Sequence, residues 1–275
     1  MLAHPPNDPF MIGLARFMSI FFALSAVAVY VYSRCTPFGA ENIWLTNMAR
    51  PFGAELRGRL AAALARRGNE RTEPWTGGVV LVLQLALCAC CYFGMLSLAA
   101  TFAAYFALIL AQQCVAFMVT HKSRIGTRVA SLQPRMIARI VPLWSLFLPV
   151  VGWCASLVIG WRTGAWLPVL LSVGTSAGAL ALAFVMTSWP AIIGDQDTQA
   201  DEAIDCALRN SRVRSLLLMA GIIPFAVSQG IWAPHDIVVI IARLVCVAAY
   251  LPMTLWYAKA VRTAQNDILR LDHAS

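Results

Sequence analysis

The segment Gly174-Thr175-Ser176-Ala177-Gly178 has the G-x-S-x-G spacing that can carry a nucleophilic serine. Such a serine needs a strand-to-helix turn and a histidine base. This one lies mid-way through an apolar stretch, and no apolar stretch of the chain contains His. The same five residues also form a G-x-x-x-G, which lets two helices approach closely, and helix packing is the role expected of them. Cys88-Ala89-Cys90-Cys91 has soft-metal ligands at close spacing, but no second thiolate cluster or His accompanies it. Cysteine in such surroundings behaves as a small hydrophobe. No catalytic residue, cofactor or metal site is therefore expected.

The acidic run Asp195, Asp197, Asp201, Glu202 and Asp205 is the next candidate. Asp201-x-x-x-Asp205 resembles the metal-binding aspartates of intramembrane prenyltransferases, which hold a diphosphate through Mg²⁺. Those enzymes use a second acidic motif on another loop, and this sequence has none. A calcium loop counted from Asp195 would need Gly at Ala200 and Glu at Cys206. A helix accounts for the same residues. Ala200, Ala203, Ile204, Ala207 and Leu208 recur at helical spacing and form one face. Acids stand at its start and Arg209, Arg212 and Arg214 at its end, complementing the helix dipole. Asp205 and Arg209 are an i,i+4 pair.

Within this helix, Glu202-Ala203-Ile204 followed by Ala207, Leu208 and Ser211 resembles the EAA coupling loop in membrane subunits of ABC importers. The resemblance covers about twenty residues. Leu208 stands where that family has Gly, and Pro224 falls later than the family's Pro. It implies a cytoplasmic helix that docks on an ATPase, with Asp201, Asp205 and Arg209 as docking residues.

Two arginines lie inside apolar stretches, Arg16 and Arg243. Burying Arg at the bilayer centre costs at least about 2.5 kcal/mol. Each has an acid toward the nearer end of its stretch, Asp8 for Arg16 and Asp236 for Arg243. Snorkelling toward that end is one reading. The other is a shared outward-facing pocket for an anionic group such as a lipid phosphate.

The elements that position these residues are membrane spans. Of 275 residues, 60% are hydrophobic and only 12% charged, whereas soluble domains carry about 25% charged residues. Stretches near the roughly 20 residues of a bilayer crossing occur at 10–32, 78–96, 99–119, 140–160, 164–186, 215–232 and 237–257. The expected fold is an all-α bundle of seven transmembrane helices within a single transmembrane domain, 1–275. The stretch 78–119 has no polar loop, and it reads as two helices joined by a tight turn near Gly94 to Ser97. With that division the Arg and Lys residues outside the spans fall on one side, leaving Arg162 alone on the other. Basic residues stay in the cytoplasm, which places the N-terminus outside and the C-terminus inside. The cytoplasmic segments are then 33–77, 120–139, 187–214 and 258–275. No basic residue precedes Arg16, so Phe17 to Ala28 is not expected to be a cleaved signal. All but two of the 21 basic residues are Arg, the exceptions being Lys122 and Lys259, a bias that favours a bacterial inner membrane.

Two further cytoplasmic segments are basic. Pro37-Phe38-Gly39-Ala40-Glu41 recurs as Pro51-Phe52-Gly53-Ala54-Glu55, and Leu56, Leu60 and Leu64 follow opposite Arg57, Arg59, Arg66 and Arg67. That pattern predicts an amphipathic helix lying along the membrane surface. Lys122, Arg124 and Arg128 begin an acid-free loop, 121–139, suited to anionic lipid head groups. Without acid, His or Lys in any span, haem ligation, a retinal Schiff base and carboxylate-coupled pumping are disfavoured. The expectation is a non-enzymatic integral membrane protein that binds lipid or membrane and cytoplasmic proteins, as a subunit or assembly factor of a larger complex. The alternative is a transport subunit, ABC-like, with 199–213 as its coupling helix. No nucleic-acid partner is expected.

Overall fold

A computed structural model describes residues 9–35, 53–55, 57–58, 73–122, 142, 144–187, 199–231, 233 and 236–274. Its seven long helices are α1 (Pro9–Cys35), α2 (Glu73–Tyr92), α3 (Leu98–Lys122), α4 (Trp144–Thr163), α5 (Trp166–Thr187), α6 (Gln199–Gly230) and α7 (Ile237–Ala274). No strand occurs among the described residues. Among the described residues six helices are long and apolar enough to cross a membrane, which makes this a multi-pass membrane protein. The exception is α2, whose apolar part, Gly77–Tyr92, is shorter.

The stretch 78–119 divides into α2 and α3 at the expected turn, though α2 stops at Tyr92, before Gly94. Gly94 takes a positive φ of 75°, which glycine adopts without a Cβ clash. The amides of Met95 and Leu96 close back onto the Cys90 carbonyl at 2.8 and 3.3 Å, consuming acceptors that the helix end leaves over. Ser97 then caps α3, its hydroxyl accepting from the Ala100 amide at 3.3 Å. The α4–α5 corner uses the same device, with Gly164 at a φ of 71°.

Helix α6 is the centre. It packs against α3, α4, α5 and α7, whereas α1 contacts chiefly α2, and α2 joins α3. One half of the core gathers Phe102 and Ala103 of α3, Ile159 of α4, Val169 of α5, Ile223 and Val227 of α6, and Cys246 of α7. The other half joins Leu182 and Met186 of α5 to Leu217 of α6 and Met253 of α7. Close approach depends on missing side chains. A Cβ on Gly230 would lie 2.7 Å from the Ala99 amide nitrogen, and one on Gly221 would lie 2.6 Å from the Met253 sulfur.

The part of the acidic run from Asp201 to Asp205 and the sixth apolar stretch to Gly230 lie on one unbroken helix of 32 residues, and α7 likewise continues beyond its apolar window at Lys259 to Ala274. In the first basic segment, the Arg57 amide donates to the Gly53 carbonyl at 3.1 Å, so a helical turn follows the second Pro-Phe-Gly-Ala-Glu copy. The rest of the amphipathic pattern there, and Arg124 and Arg128, lie outside the described residues.

Candidate functional site

Proline chemistry organises the interior of the bundle. Pro224 has no amide hydrogen, so the Ala220 carbonyl, one turn earlier in α6, loses its helical donor. In an apolar medium that acceptor must be met from elsewhere. Ser176 of α5 meets it, its hydroxyl donating to the Ala220 oxygen at 2.5 Å. The same hydroxyl accepts from the Trp153 indole N–H of α4 at 2.6 Å. Three helices are thus joined through one fully buried serine. Pro224 itself sits on α4, at 3.2 Å from where a Gly152 Cβ would be.

The G-x-S-x-G motif is therefore helix-joining here. Ser176 has both its donor and its acceptor function engaged inside the bundle. Of the two glycines only Gly178 marks a close approach, with a Leu110 methyl of α3 at 2.9 Å from a notional Cβ; Gly174 faces open space. The interior holds further small polar groups. The Cys246 thiol points at the Gly152 carbonyl at 3.9 Å, and the Ser156 hydroxyl lies beside that thiol. Ser172 is buried with an unpartnered hydroxyl. No group of three metal-ligating side chains occurs among the described residues.

At one end of the bundle the charges are tied to the fold. Arg243 reaches from α7 to the end of α6, donating from Nε to the Ser228 carbonyl at 3.1 Å and from a terminal nitrogen to the Ile231 carbonyl. Those carbonyls lie at the end of α6, where acceptors carry partial negative charge and lack helical donors. A half-buried arginine is satisfied there by backbone. Arg16 lies elsewhere, exposed on α1, its guanidinium 5.6 Å from the centre of the Tyr92 ring. The two arginines share none of these partners.

Asp236, the acid nearest Arg243 in sequence, is bonded to Arg162 of α4 at 2.9 Å. Its other oxygen accepts from the Val238 and Val239 amides at 2.9 and 3.4 Å, capping α7. The Arg162 hydrogen bond, helped by those amides, holds this carboxyl below the usual carboxylate range. Sequence proximity pointed to Arg243, but the cap fixes Asp236 where its free edge faces α4.

At the opposite end, aromatic and basic residues meet. The Arg214 guanidinium of α6 lies over the Trp256 ring of α7 at 5.8 Å. Trp256 meets Trp144 of α4 edge-on at 6.2 Å. Ser215 and Tyr257 hydroxyls are 3.1 Å apart. Spacing alone did not single out this cluster, because its members come from three helices. Lys122 ends α3, while Asp201, Asp205 and Arg209 lie on the first turns of α6; the side chains of all four lie outside the described residues.

No family model, curated protein or solved structure matches this chain.

Proposed function

We propose that this chain is a non-enzymatic membrane component that binds lipid or partner proteins, serving as a subunit or assembly factor of a larger membrane complex. In this reading the chain crosses a bacterial inner membrane seven times, with its N-terminus outside and its C-terminus in the cytoplasm. The observation that carries it is the uneven use of surface. Only 11% of the apolar window of α1 is buried inside the chain, which leaves Phe10, Phe17, Phe21 and Leu24 exposed on one helix. Meanwhile the two short hydrogen bonds of the buried Ser176 hydroxyl join α4, α5 and α6. A helix so little covered needs lipid or another membrane helix against it.

Purification of the full chain in mild detergent, followed by identification of bound proteins and lipids, tests this. The expected result is a membrane protein retained in fixed ratio, lost when Phe17 and Leu24 are replaced by Ala. A chain that elutes alone, with no retained protein or lipid, overturns it.

A second reading is supported by the continuity of α6. A partner engaging 199–213 would act on a helix that continues without interruption into the centre of the bundle. In a transport subunit this segment engages an ATPase through Asp201, Asp205 and Arg209. Reversing those three charges should then abolish association with a nucleotide-binding protein and leave the bundle folded. Unchanged association sinks the transport reading.

A further inference from the structure

We propose that Pro149, Pro224 and Pro252 form one hinge layer across α4, α6 and α7, about which the two ends of this three-helix group tilt against each other. The hinge goes beyond the function proposed above and does not depend on which partner the chain binds. Each proline lies inside its helix. It removes the amide that would serve the carbonyl four residues earlier, at Ser145, Ala220 and Ala248. Helices bend most readily at such positions.

Packing brings the three prolines to one depth. Helices α4 and α6 run the same way, both from the end at Trp256 toward the end at Asp236 and Arg243. Pro224 lies on Gly152, so Pro149, three residues before Gly152, is level with Gly221, three residues before Pro224. Gly221 in turn lies against the Met253 sulfur, beside Pro252. All three prolines thus fall within about one helical turn, or about 5 Å of depth.

On either side of this layer the same three helices are tied together. At one end Arg162 of α4 bonds Asp236 at the head of α7, and Arg243 of α7 holds the end of α6. At the other end Trp256 of α7 meets Trp144 of α4 and Arg214 of α6, and Tyr257 meets Ser215. Two cross-tied groups are therefore separated by a layer short of backbone donors, where helices touch through Gly152, Gly221 and the pliant Met253 side chain. That arrangement couples the three bends into one hinge. Helix α5 passes the layer with no proline beyond Pro168 in its first turn, and serves as the rail. Its Ser176 bonds Ala220 on the Trp256 side of Pro224 and Trp153 on the Asp236 side of Pro149, so this hydroxyl spans the hinge.

Pulsed electron–electron distance measurement on the full chain in lipid vesicles tests this, with spin labels carried by unnatural amino acids so that the native cysteines stay. Leu244 and Ala258 bracket Pro252 on α7, and Leu170 and Phe184 bracket the same layer on α5; all four are exposed. A straight helix would put each pair about 21 Å apart at 1.5 Å per residue. The α7 distance distribution should be about twice as wide as that of α5. Pro252→Ala should narrow it to the α5 width, and Pro224→Ala, on a different helix, should narrow it in part. An α7 distribution as narrow as that of α5 overturns the hinge, and so does a wide one that neither substitution narrows. Narrowing by Pro252→Ala alone overturns the shared layer, because α7 then bends by itself.

Discussion

Helices α1 and α6 are opposites. The apolar window of α1 is the more hydrophobic of the two yet only 11% buried; that of α6 is the least hydrophobic of the three longest helices and 56% buried. A water-soluble protein would reverse this, covering its most apolar helix and exposing the other. In lipid, apolar surface costs nothing to expose, and buried positions go to small or polar residues that allow close contact and hydrogen bonding. The glycines carry the same contrast. Gly13 on α1 has nothing within 4 Å of a notional Cβ, whereas Gly221 and Gly230 on α6 have neighbours within 3 Å.

The largest difference should appear on inserting bulk at those glycines. Gly230→Leu must displace the α3 backbone at Ala99, and should cost about 3 kcal/mol or prevent folding. Gly13→Leu should leave the midpoint of an SDS titration within about 0.5 kcal/mol of the parent. Equal losses at the two positions would break the comparison.

Next in size is the serine that answers Pro224. Ser176→Ala leaves the Ala220 carbonyl and the Trp153 indole without partners, and should cost about 1–2 kcal/mol. In a Pro224→Ala background the restored amide can serve Ala220 itself, so the cost of Ser176→Ala should fall by about half. A double-mutant cycle without coupling would show that the proline and the serine are independent.

The two arginines sharpen the contrast further. Arg243→Met removes donors from the Ser228 and Ile231 carbonyls and should cost about 1–2 kcal/mol. Arg16→Met loses a ring contact on an exposed side chain and should cost about 0.5 kcal/mol. The reverse order in thermal unfolding would contradict the assignment of Arg243 to the helix end.

The smallest effect concerns Asp236. Its carboxyl is held below the ordinary value of 3.8, so whatever it contributes is present in full above that pH and fades as acid protonates the folded form. Asp236→Asn should flatten the acid side of the stability profile below about pH 4 and change little at neutrality. An identical acid limb in both proteins would mean the Arg162 contact adds nothing.

These contrasts separate what sequence could convey from what it could not. The α2–α3 turn was readable because Gly94 and Ser97 act locally, one permitting a positive φ and the other capping the next helix. A packing role for Gly174 to Gly178 was readable from small-residue spacing, but not that Gly178 alone is crowded, since that depends on where Leu110 of α3 falls. Arg243 looked toward Asp236 because they are seven residues apart; its carbonyl partners on α6 carry no side-chain signal. The Arg214–Trp256–Trp144 cluster was hidden for a related reason, being assembled from α6, α7 and α4 by packing alone.

The interior of α6 is sealed by its neighbours, while α1 presents its surface to something outside the chain. Site-specific photo-crosslinking in native membranes tests it most directly, with a benzophenone side chain placed at Leu24 or at Ile223. Leu24 is 66% exposed and Ile223 is fully buried. Adducts to lipid or to another protein are expected from Leu24, and only intrachain products from Ile223. Intermolecular adducts from Ile223, or none from Leu24, would contradict it.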